Sequence, residues 1–210
     1  MLFRSYALRS DGQLRLKGQI ANAAMGQVLE LVAPRAAQRI TGRGQLSVDL
    51  HAQGNSWEEI QSALAGRAVG DVHNGAVTGL NIVNDVLGRV TGLPQIGDLI
   101  SANVKPKYAR LFSDNDTQFE TLHATCLIGG RRIATDDLAI IAADYGVHAA
   151  GWVGFDRAVD LSGTLAMSRR FSGDVIADIK EAKYVVDSNG QLSVPFRLRG
   201  TLGEIGRAHV

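Results

Sequence analysis

Cysteine, proline and aromatic residues are scarce in this sequence. Its 210 residues include a single cysteine, Cys126, so an intramolecular disulfide is excluded. There are 4 prolines and 6% aromatic residues, whereas glycine reaches 24, a composition typical of many tight turns between strands. Cys126 lies in the run Thr121–Ile128, which predicts a strand. We therefore interpret Cys126 as a small buried hydrophobe and not as a nucleophile.

An excess of charge of either sign is also missing, since the formal net charge is +1. Proteins that bind nucleic acid usually carry a basic patch, so this balance predicts no nucleic-acid partner. Two arginine pairs, Arg131-Arg132 and Arg169-Arg170, stand out locally. We interpret both pairs as solvated strand ends and not as a phosphate site.

Long apolar runs are absent. No stretch reaches the ~18 apolar residues of a membrane-spanning helix, and the first residues lack the apolar core of a signal peptide. The sequence opens in a segment typical of a strand and closes on Gly-Arg-Ala-His-Val without a clear stop signal. We expect it to be a fragment of a longer protein.

The spacings that catalysis and metal binding require are missing too. No two of the 5 histidines stand four apart on a predicted helix, and Cys-x-x-Cys, Gly-x-Ser-x-Gly and phosphate-loop motifs do not occur. Asp114-Asn115-Asp116 lacks the spacing of a calcium loop, and we interpret Asp136-Asp137 as a turn. The sequence predicts no catalytic residue, no metal and no cofactor.

The first half of the chain mixes strands and helices. Period-two alternation predicts strands at Leu14–Ile20 and Gly44–Gly54. Helical spacing predicts a helix from Ala24 to Ile40, broken by Pro34, and another over Leu80–Val104, interrupted at Gly92-Leu93-Pro94. We expect these two amphipathic regions to pack on the sheet.

A capped helix and a hairpin are predicted between those regions. Ser56 followed by Glu59 forms a capping box ahead of Trp57–Leu64, and Gly66 is expected to end that helix. Asn74-Gly75 is a strong type I′ signal, so Ala68–Val72 and Ala76–Leu80 are predicted to form a hairpin.

The second half is predicted to be an antiparallel meander, because closely spaced strands pair with their sequence neighbours. One short helix, roughly Gly173 to Val185, interrupts it. The predicted strands are Thr117–Ile128, Arg131–Thr135, Asp137–Ala143, Tyr145–Phe155, Asp160–Ser168 and Gln191–Thr201.

Three blocks, taken in order, resemble the carboxy-terminal region of the AsmA family. The first contains a glycine-bounded strand, a Gly-x-Ser step and a Leu-x-Gly step. The second contains a Thr-x-Phe strand followed by Asp-Leu steps, and the third is a Val-Pro-x-x-Leu-x-Gly exit strand. The residues that carry the resemblance are Ile40–Leu50, Gly54–Trp57, Ala63–Gly66, Asn74–Asn81, Thr117–Leu122, Ala134–Leu138, Gly151–Phe155, Val159–Leu161 and Val194–Leu202.

This resemblance implies one AsmA-like region over 1–210, with a mixed strand and helix part at 1–112 and an antiparallel meander at 113–202. The implied fold class is α+β and mainly antiparallel: a curved sheet that forms a groove, with amphipathic helices on it. The implied function is non-catalytic phospholipid transport or homeostasis between inner and outer membranes, supporting outer-membrane assembly. The implied location is the periplasmic side of the bacterial inner membrane, in a parent protein anchored there.

The expected partners are a phospholipid or another acyl lipid, with envelope proteins as a second class of partner. An apolar sheet face can hold acyl chains by burial alone. Cys126, Ala142, Val159, Leu192 and Leu198 are secondary candidates for that face. The main groove candidates are Leu122, Ala124, Ile128, Leu138, Ile140, Val147, Val153, Leu161, Leu165, Val194 and Phe196.

Other interpretations remain open at this level. The predicted helices could fill the same face, which would make its residues ordinary core. The chain could then be a periplasmic scaffold or regulator of outer-membrane protein assembly that acts through protein contacts. An enzyme is a third hypothesis, without a catalytic constellation to support it.

Overall fold

The fold is dominated by one antiparallel sheet. The computed structural model describes residues 6–8, 12–32, 39–87, 104–113, 115–179, 182 and 186–201. In this part of the chain, nine strands follow one another in sequence order, each paired with its neighbours. The strands are β1 Tyr6–Leu8, β2 Gln13–Ala24, β3 Arg43–Gln53, β4 Ala65–Val77, β5 Thr117–Gly129, β6 Arg132–Ile141, β7 Tyr145–Gly154, β8 Ala158–Met167 and β9 Ser193–Thr201.

Short helices lie between the strands. The helices are α1 Met25–Val32, α2 Trp57–Ala63, α3 Ile82–Leu87, α4 Ala109–Ser113 and α5 Arg169–Asp178, with a 3-10 turn Lys105–Tyr108 before α4. The prediction of a mainly antiparallel meander is confirmed, since every strand pairing is antiparallel. The sheet is open in the described residues, because β1 pairs only with β2 and β9 only with β8.

The predicted hairpin at Asn74-Gly75 is wrong, because Ala65–Val77 is one continuous strand. Asn74 does adopt the left-handed conformation that a type I′ turn requires, with φ of 50°. Pairing on both sides keeps the chain extended, since Gly75 lies opposite Phe119 and the Thr41 amide donates to the Ala76 carbonyl at 2.9 Å. Tertiary pairing therefore outweighs a strong local turn signal.

Three further boundaries differ from the predictions. The predicted segments Arg131–Thr135 and Asp137–Ala143 are one strand, β6, whose ladder is interrupted between Thr135 and Leu138. Asp136-Asp137 is thus a strand irregularity and not a turn. Helix α5 starts at Arg169, four residues before the predicted Gly173, because Ser168 caps it. Gly66 lies inside β4 and does not end α2, whose C-cap is Leu64.

The two long predicted helices are only partly in the described residues. Met25–Val32 and Ile82–Leu87 are helical as predicted. The predicted breaks at Pro34 and at Gly92-Leu93-Pro94 lie outside the described residues. Within the residues that the structure places, no helix combines the length and the apolar character that crossing a bilayer demands.

Two glycines lie where the backbones of neighbouring strands approach closely. Gly66 and Gly151 have φ values of +143° and +144°. A Cβ at either position would lie 2.1 Å from a carbonyl oxygen of the adjacent strand, that of Asp49 or Asp160 respectively. Only glycine fits such a close backbone approach.

Candidate functional site

The sheet has one apolar and one polar face, as the period-two alternation predicts. Side chains that lie directly opposite one another on successive strands share a face. One such row of apolar side chains crosses the sheet from β4 to β9, and we call the side of the sheet that carries it the apolar face. The row consists of Val72, Leu122, Ile140, Val147, Leu165 and Val194. The polar face is the opposite side, where Asp71 lies opposite His123 and Trp152 opposite Asp160.

We call the part of the apolar face around this row the near half. Helices cover the near half. Val147 and Leu165 have no exposed surface, and they belong to one core cluster with Val83 of α3 and Phe171 of α5. The ring of Phe171 meets that of Tyr108 edge to face, with centroids 4.8 Å apart. The near half is therefore a packed protein interior.

The rest of the apolar face, the far half, lies toward the turns at 129–131 and 155–157. Most of its side chains are half-buried, and none belongs to the core cluster. Val159, in the same row as Val153, and Ala52, opposite Leu14, are buried, whereas Ile133 is 39% exposed. The other side chains of the far half are Leu14, Leu16, Val48, Leu50, Ala68, Ala124, Cys126, Ile128, Val153, Leu161 and Leu198. It is an apolar strip across the sheet, accessible in part to solvent.

The predicted groove residues divide between the two halves. Most belong to the filled near half or pack against it. These are Leu122, Leu138, Ile140, Val147, Leu165, Val194 and Phe196. The others lie in the far half, namely Ala124, Ile128, Val153 and Leu161. Sequence alternation places both groups on one face but does not tell which part of that face a helix covers.

Cys126 lies on the apolar face, opposite Ala68. Burial, aided by the charge of Asp137, raises the pKa of its thiol. A thiol of raised pKa stays protonated at neutral pH, and the thiol is a much weaker nucleophile than the thiolate. The position fits the predicted role of a small hydrophobe.

A carboxylate–histidine–carboxylate cluster lies on the polar face across β4, β5 and β6. The Nδ1 atom of His123 is 2.6 Å from Asp71 Oδ1, and its Nε2 atom is 3.4 Å from Asp137 Oδ2. The hydrogen bond to Asp71 raises the pKa of His123, with further support from both negative charges. The same hydrogen bond lowers the pKa of Asp71.

Asp137 occupies the interruption in the β6 ladder. Its Oδ1 atom accepts the backbone N–H of Thr125 at 2.6 Å and the hydroxyl of Thr135 at 3.1 Å. The Thr125 bond is the main reason that the pKa of Asp137 falls to about 2. The carboxylate thus binds an amide of β5 at the place where β6 leaves the regular register, so it closes a gap in the sheet.

Other pairs on the polar face also join neighbouring strands. Arg197 donates two hydrogen bonds to the carboxylate of Asp160, at 2.9 and 2.8 Å. The Arg132 guanidinium lies 4.1 Å from the ring centroid of Trp152. These are exposed contacts between adjacent strands, and their chemistry is that of sheet stabilisation.

A surface cleft of about 570 Å³ lies at the near end of the sheet, lined in part by Asp116, Glu120 and Tyr145. Asp116 accepts the backbone N–H of Gly79 at 2.9 Å, which fixes the loop before α3. The Tyr145 hydroxyl donates to the carbonyl of Gln118, and burial raises its pKa to about 12. These groups join the loop and β7 to β5.

The histidine cluster is the polar constellation that sequence reasoning missed. Its members are separated by 52 and by 14 positions, on three strands, so no short spacing could reveal them. The one usable signal was the Asp136-Asp137 pair inside an otherwise alternating apolar strand. In the part of the chain that the structure places, no three His, Cys, Asp or Glu side chains are grouped as metal ligands would be.

The apolar face and the histidine cluster follow from the residues of this chain alone. The resemblance to the AsmA family stays a prediction from the sequence. Among protein-family models, curated proteins and solved structures, none matches this chain.

Proposed function

We propose that this chain is a non-catalytic, lipid-handling module that holds acyl chains of phospholipid on the far half of its apolar face. In this proposal it is the carboxy-terminal region of an AsmA-like protein, anchored in the bacterial inner membrane and acting in the periplasm. Its role there is phospholipid movement between the membranes and outer-membrane assembly. The observation that carries the proposal is a continuous apolar strip that the core cluster leaves half-exposed.

The chemistry of the strip suits an acyl chain. One cross-strand row contains Leu16, Leu50, Ile128, Ile133 and Val153, with Gly66 between Leu50 and Ile128. Each methylene group removed from water contributes about 0.8 kcal/mol, so an acyl chain laid along this row is held by many small contacts. Such binding requires no catalytic residue.

The near half is a poor alternative for the same ligand. Val147, Leu165, Met167 and Phe171 have no exposed surface, so a lipid could enter there only by displacing helices from the core. Opening an apolar core of this kind costs several kcal/mol, as the penalties for deleting core side chains indicate. We therefore restrict the predicted site to the far half.

Lipid carried by the purified protein tests this proposal. We expect native mass spectrometry and extraction to find phospholipid bound to the wild-type chain. Leu161→Asn should reduce the bound fraction several-fold, because it places an amide in the strip. Ser162→Asn is the matched control, since Ser162 is the next residue of β8, is exposed and faces the other side.

Circular dichroism and thermal unfolding should show that both variants stay folded. A wild-type chain that carries no lipid, or equal lipid in the two variants, would contradict the proposal. A lipid-free protein would instead favour a scaffold that acts through protein contacts. Leu127 is the observation in favour of that second function, since this leucine of the polar face is 57% exposed.

A further inference from the structure

The ladder between β5 and β6 is interrupted beneath the apolar strip. Regular pairing of β5 with β6 stops at His123 and resumes at Leu127. On the other side of β6, pairing with β7 is interrupted between Thr135 and Leu138. We call this place, residues 124–126 and 135–138, the gap. The middle of β6 therefore lies outside the regular ladder on both sides.

Asp137 bridges the gap. Its Oδ1 atom accepts the Thr125 N–H of β5 at 2.6 Å, and its Oδ2 atom lies 3.4 Å from His123 Nε2. The Nδ1 atom of the same imidazole lies 2.6 Å from Asp71 Oδ1 on β4. Gln45 of β3 donates to the other oxygen of Asp71 at 3.0 Å. One series of polar contacts thus runs from β3 to β6 through a single imidazole.

The imidazole of His123 can donate to both carboxylates only as a cation. An imidazolium has an N–H on each ring nitrogen, whereas the neutral ring has one. The shorter contact, to Asp71, retains that one proton, so in the neutral ring Nε2 turns a lone pair toward Asp137. A lone pair and a carboxylate repel each other. Loss of the proton therefore breaks the link to Asp137 and leaves the link to Asp71.

The titratable groups around His123 lie on β4, β6 and β7. They are Asp71, His73, Asp136, Asp137 and His148. Among the described residues, no lysine or arginine forms a salt bridge with Asp71 or Asp137, so His123 is the cation that serves both. The hydrogen bond to Asp71, followed by the charges of both carboxylates, raises the pKa of His123 above its ordinary value of about 6.5.

The gap lies directly under part of the proposed lipid site. Side chains alternate between the two faces of a strand, so Ala124 and Cys126, on either side of Thr125, lie on the apolar face. Both belong to the far half. The Thr125 amide that Asp137 holds is thus the backbone between two residues of the strip. A change at His123 on the polar face therefore reaches the apolar face through one strand.

We propose that His123 is a proton switch that controls how firmly the far half retains lipid. The protonated ring holds Asp137 against the Thr125 amide and keeps β6 joined to β5 beneath the strip. The neutral ring releases Asp137, the gap opens more often, and the acyl chain leaves more readily. The inference rests on the proposed lipid function and adds its regulation by pH.

Amide exchange in lipid-free protein tests the switch itself. Protection of the Thr125 amide, corrected for intrinsic exchange at each pH, should be about threefold higher at pH 5.5 than at pH 8.5. The change is modest because the side chains of His123 and Asp137 are both 40% exposed. Exchange of the Val147 amide, in the closed core, reports how much of any change comes from global unfolding.

Two histidine variants show which ring is responsible. His123→Gln should remove the pH dependence of Thr125 protection. His73→Gln is the matched control, since His73 is an exposed histidine that acts on Asp71 through charge without a hydrogen bond to it. That variant should keep the dependence. Circular dichroism should show that both variants are folded.

Asp137→Asn separates the charge from the hydrogen bond. The asparagine retains an oxygen that can accept the Thr125 N–H, but it has no negative charge for the imidazolium. Thr125 should then stay protected at both pH values, and the pH dependence should be lost. Full pH dependence in this variant would contradict a switch that acts through Asp137.

Lipid retention tests the consequence for the strip. Lipid-loaded protein is incubated with an excess of phosphatidylcholine vesicles at pH 5.5 and at pH 8.5, and the phospholipid that stays with the protein is extracted and measured. The wild type should retain about threefold more at pH 5.5. His123→Gln should retain equal amounts at the two pH values.

Thr125 protection that is equal at both pH values, or that changes equally in the wild type and in His123→Gln, would overturn the switch. Equal lipid retention at both pH values, by a wild type that carries lipid, would overturn its control of the strip. Failure of the proposed function gives a different result: the wild type carries no lipid, while Thr125 protection still responds to pH. The regulation of lipid then falls with the lipid site.

Discussion

His123 is a titratable residue of the polar face with a carboxylate near each of its ring nitrogens. Its pKa is raised by the hydrogen bond to Asp71, and the pKa values of Asp71 and Asp137 are lowered. Because the pKa of His123 is higher in the folded state, its protonation stabilises the fold fully below the pKa of the unfolded state, about 6.5. This stabilisation is lost as the pH rises through the pKa of the folded state. The lowered pKa values of the two carboxylates act oppositely. Their ionised forms stabilise the fold above the pKa of the unfolded state, about 3.8, and this stabilisation is lost as the pH falls further.

The cluster should therefore stabilise the chain most between about pH 4 and 6.5. We expect His123→Gln to lower the midpoint of thermal unfolding more at pH 5.5 than at pH 8.5. His148→Gln is the control, since His148 is an exposed histidine of the same face. The size of the effect should be modest, because the His123 side chain is 40% exposed and solvent screens the pair. Equal losses at both pH values would contradict the coupling.

At the scale of elements, the strands show where local preference is overruled. Asn74-Gly75 has the chemistry of a hairpin turn, yet β4 stays extended there, because β5 pairs with it on one side and Thr41 bonds to Ala76 on the other. Asp136-Asp137 lies in β6, where the Asp137 carboxylate accepts a β5 amide beside the interrupted ladder. Irregular positions within these strands are stabilised by neighbours that are distant in sequence.

The close approach of β7 and β8 gives an element-level prediction. Gly151→Ala should destabilise the chain by about 2 kcal/mol or more, because the new Cβ would lie 2.1 Å from the Asp160 carbonyl oxygen. Gly18→Ala is the control on the same face, since a Cβ at Gly18 meets nothing within 4 Å. That substitution should be neutral or slightly stabilising. Urea unfolding measures both, and similar midpoints for the two variants would show that the backbones do not approach so closely at Gly151.

At the scale of the whole molecule, one sheet is packed differently in its two halves along the same strands. The near half of β7 and β8 holds Val147 and Leu165 in a closed core, and the far half leaves Val153 and Leu161 half-exposed. Local opening is easier where few apolar contacts are lost. The two ends of each strand should therefore differ in local stability.

Hydrogen exchange checks this difference. In lipid-free protein, the amide of Val147 should exchange more slowly than that of Val153 in the same strand, β7. In β8, the amide of Leu165 should likewise exchange more slowly than that of Leu161. The comparison within one strand removes differences between strands, and each rate is taken relative to the intrinsic rate for that residue's sequence neighbours. Uniform protection along β7 and β8 would mean that the far half is as firmly held as the core.

Much of this fold is predictable from the residues. Alternation from Thr117 onward predicts the meander and assigns Leu122, Val147 and Leu165 to one face. The spacing of Ser56 and Glu59 predicts α2 correctly, and Ser56 does accept the Glu59 amide. These features depend on short-range periodicity and capping, which a sequence encodes directly.

What the sequence by itself determined is the type of most elements, the antiparallel meander of the second half and the sidedness of its strands, because all three follow from local spacing. Only the tertiary structure decided which half of the apolar face the helices fill and which carboxylates meet His123. Those outcomes depend on register between strands and on helix placement. A chain of alternating residues leaves both open until the strands pair.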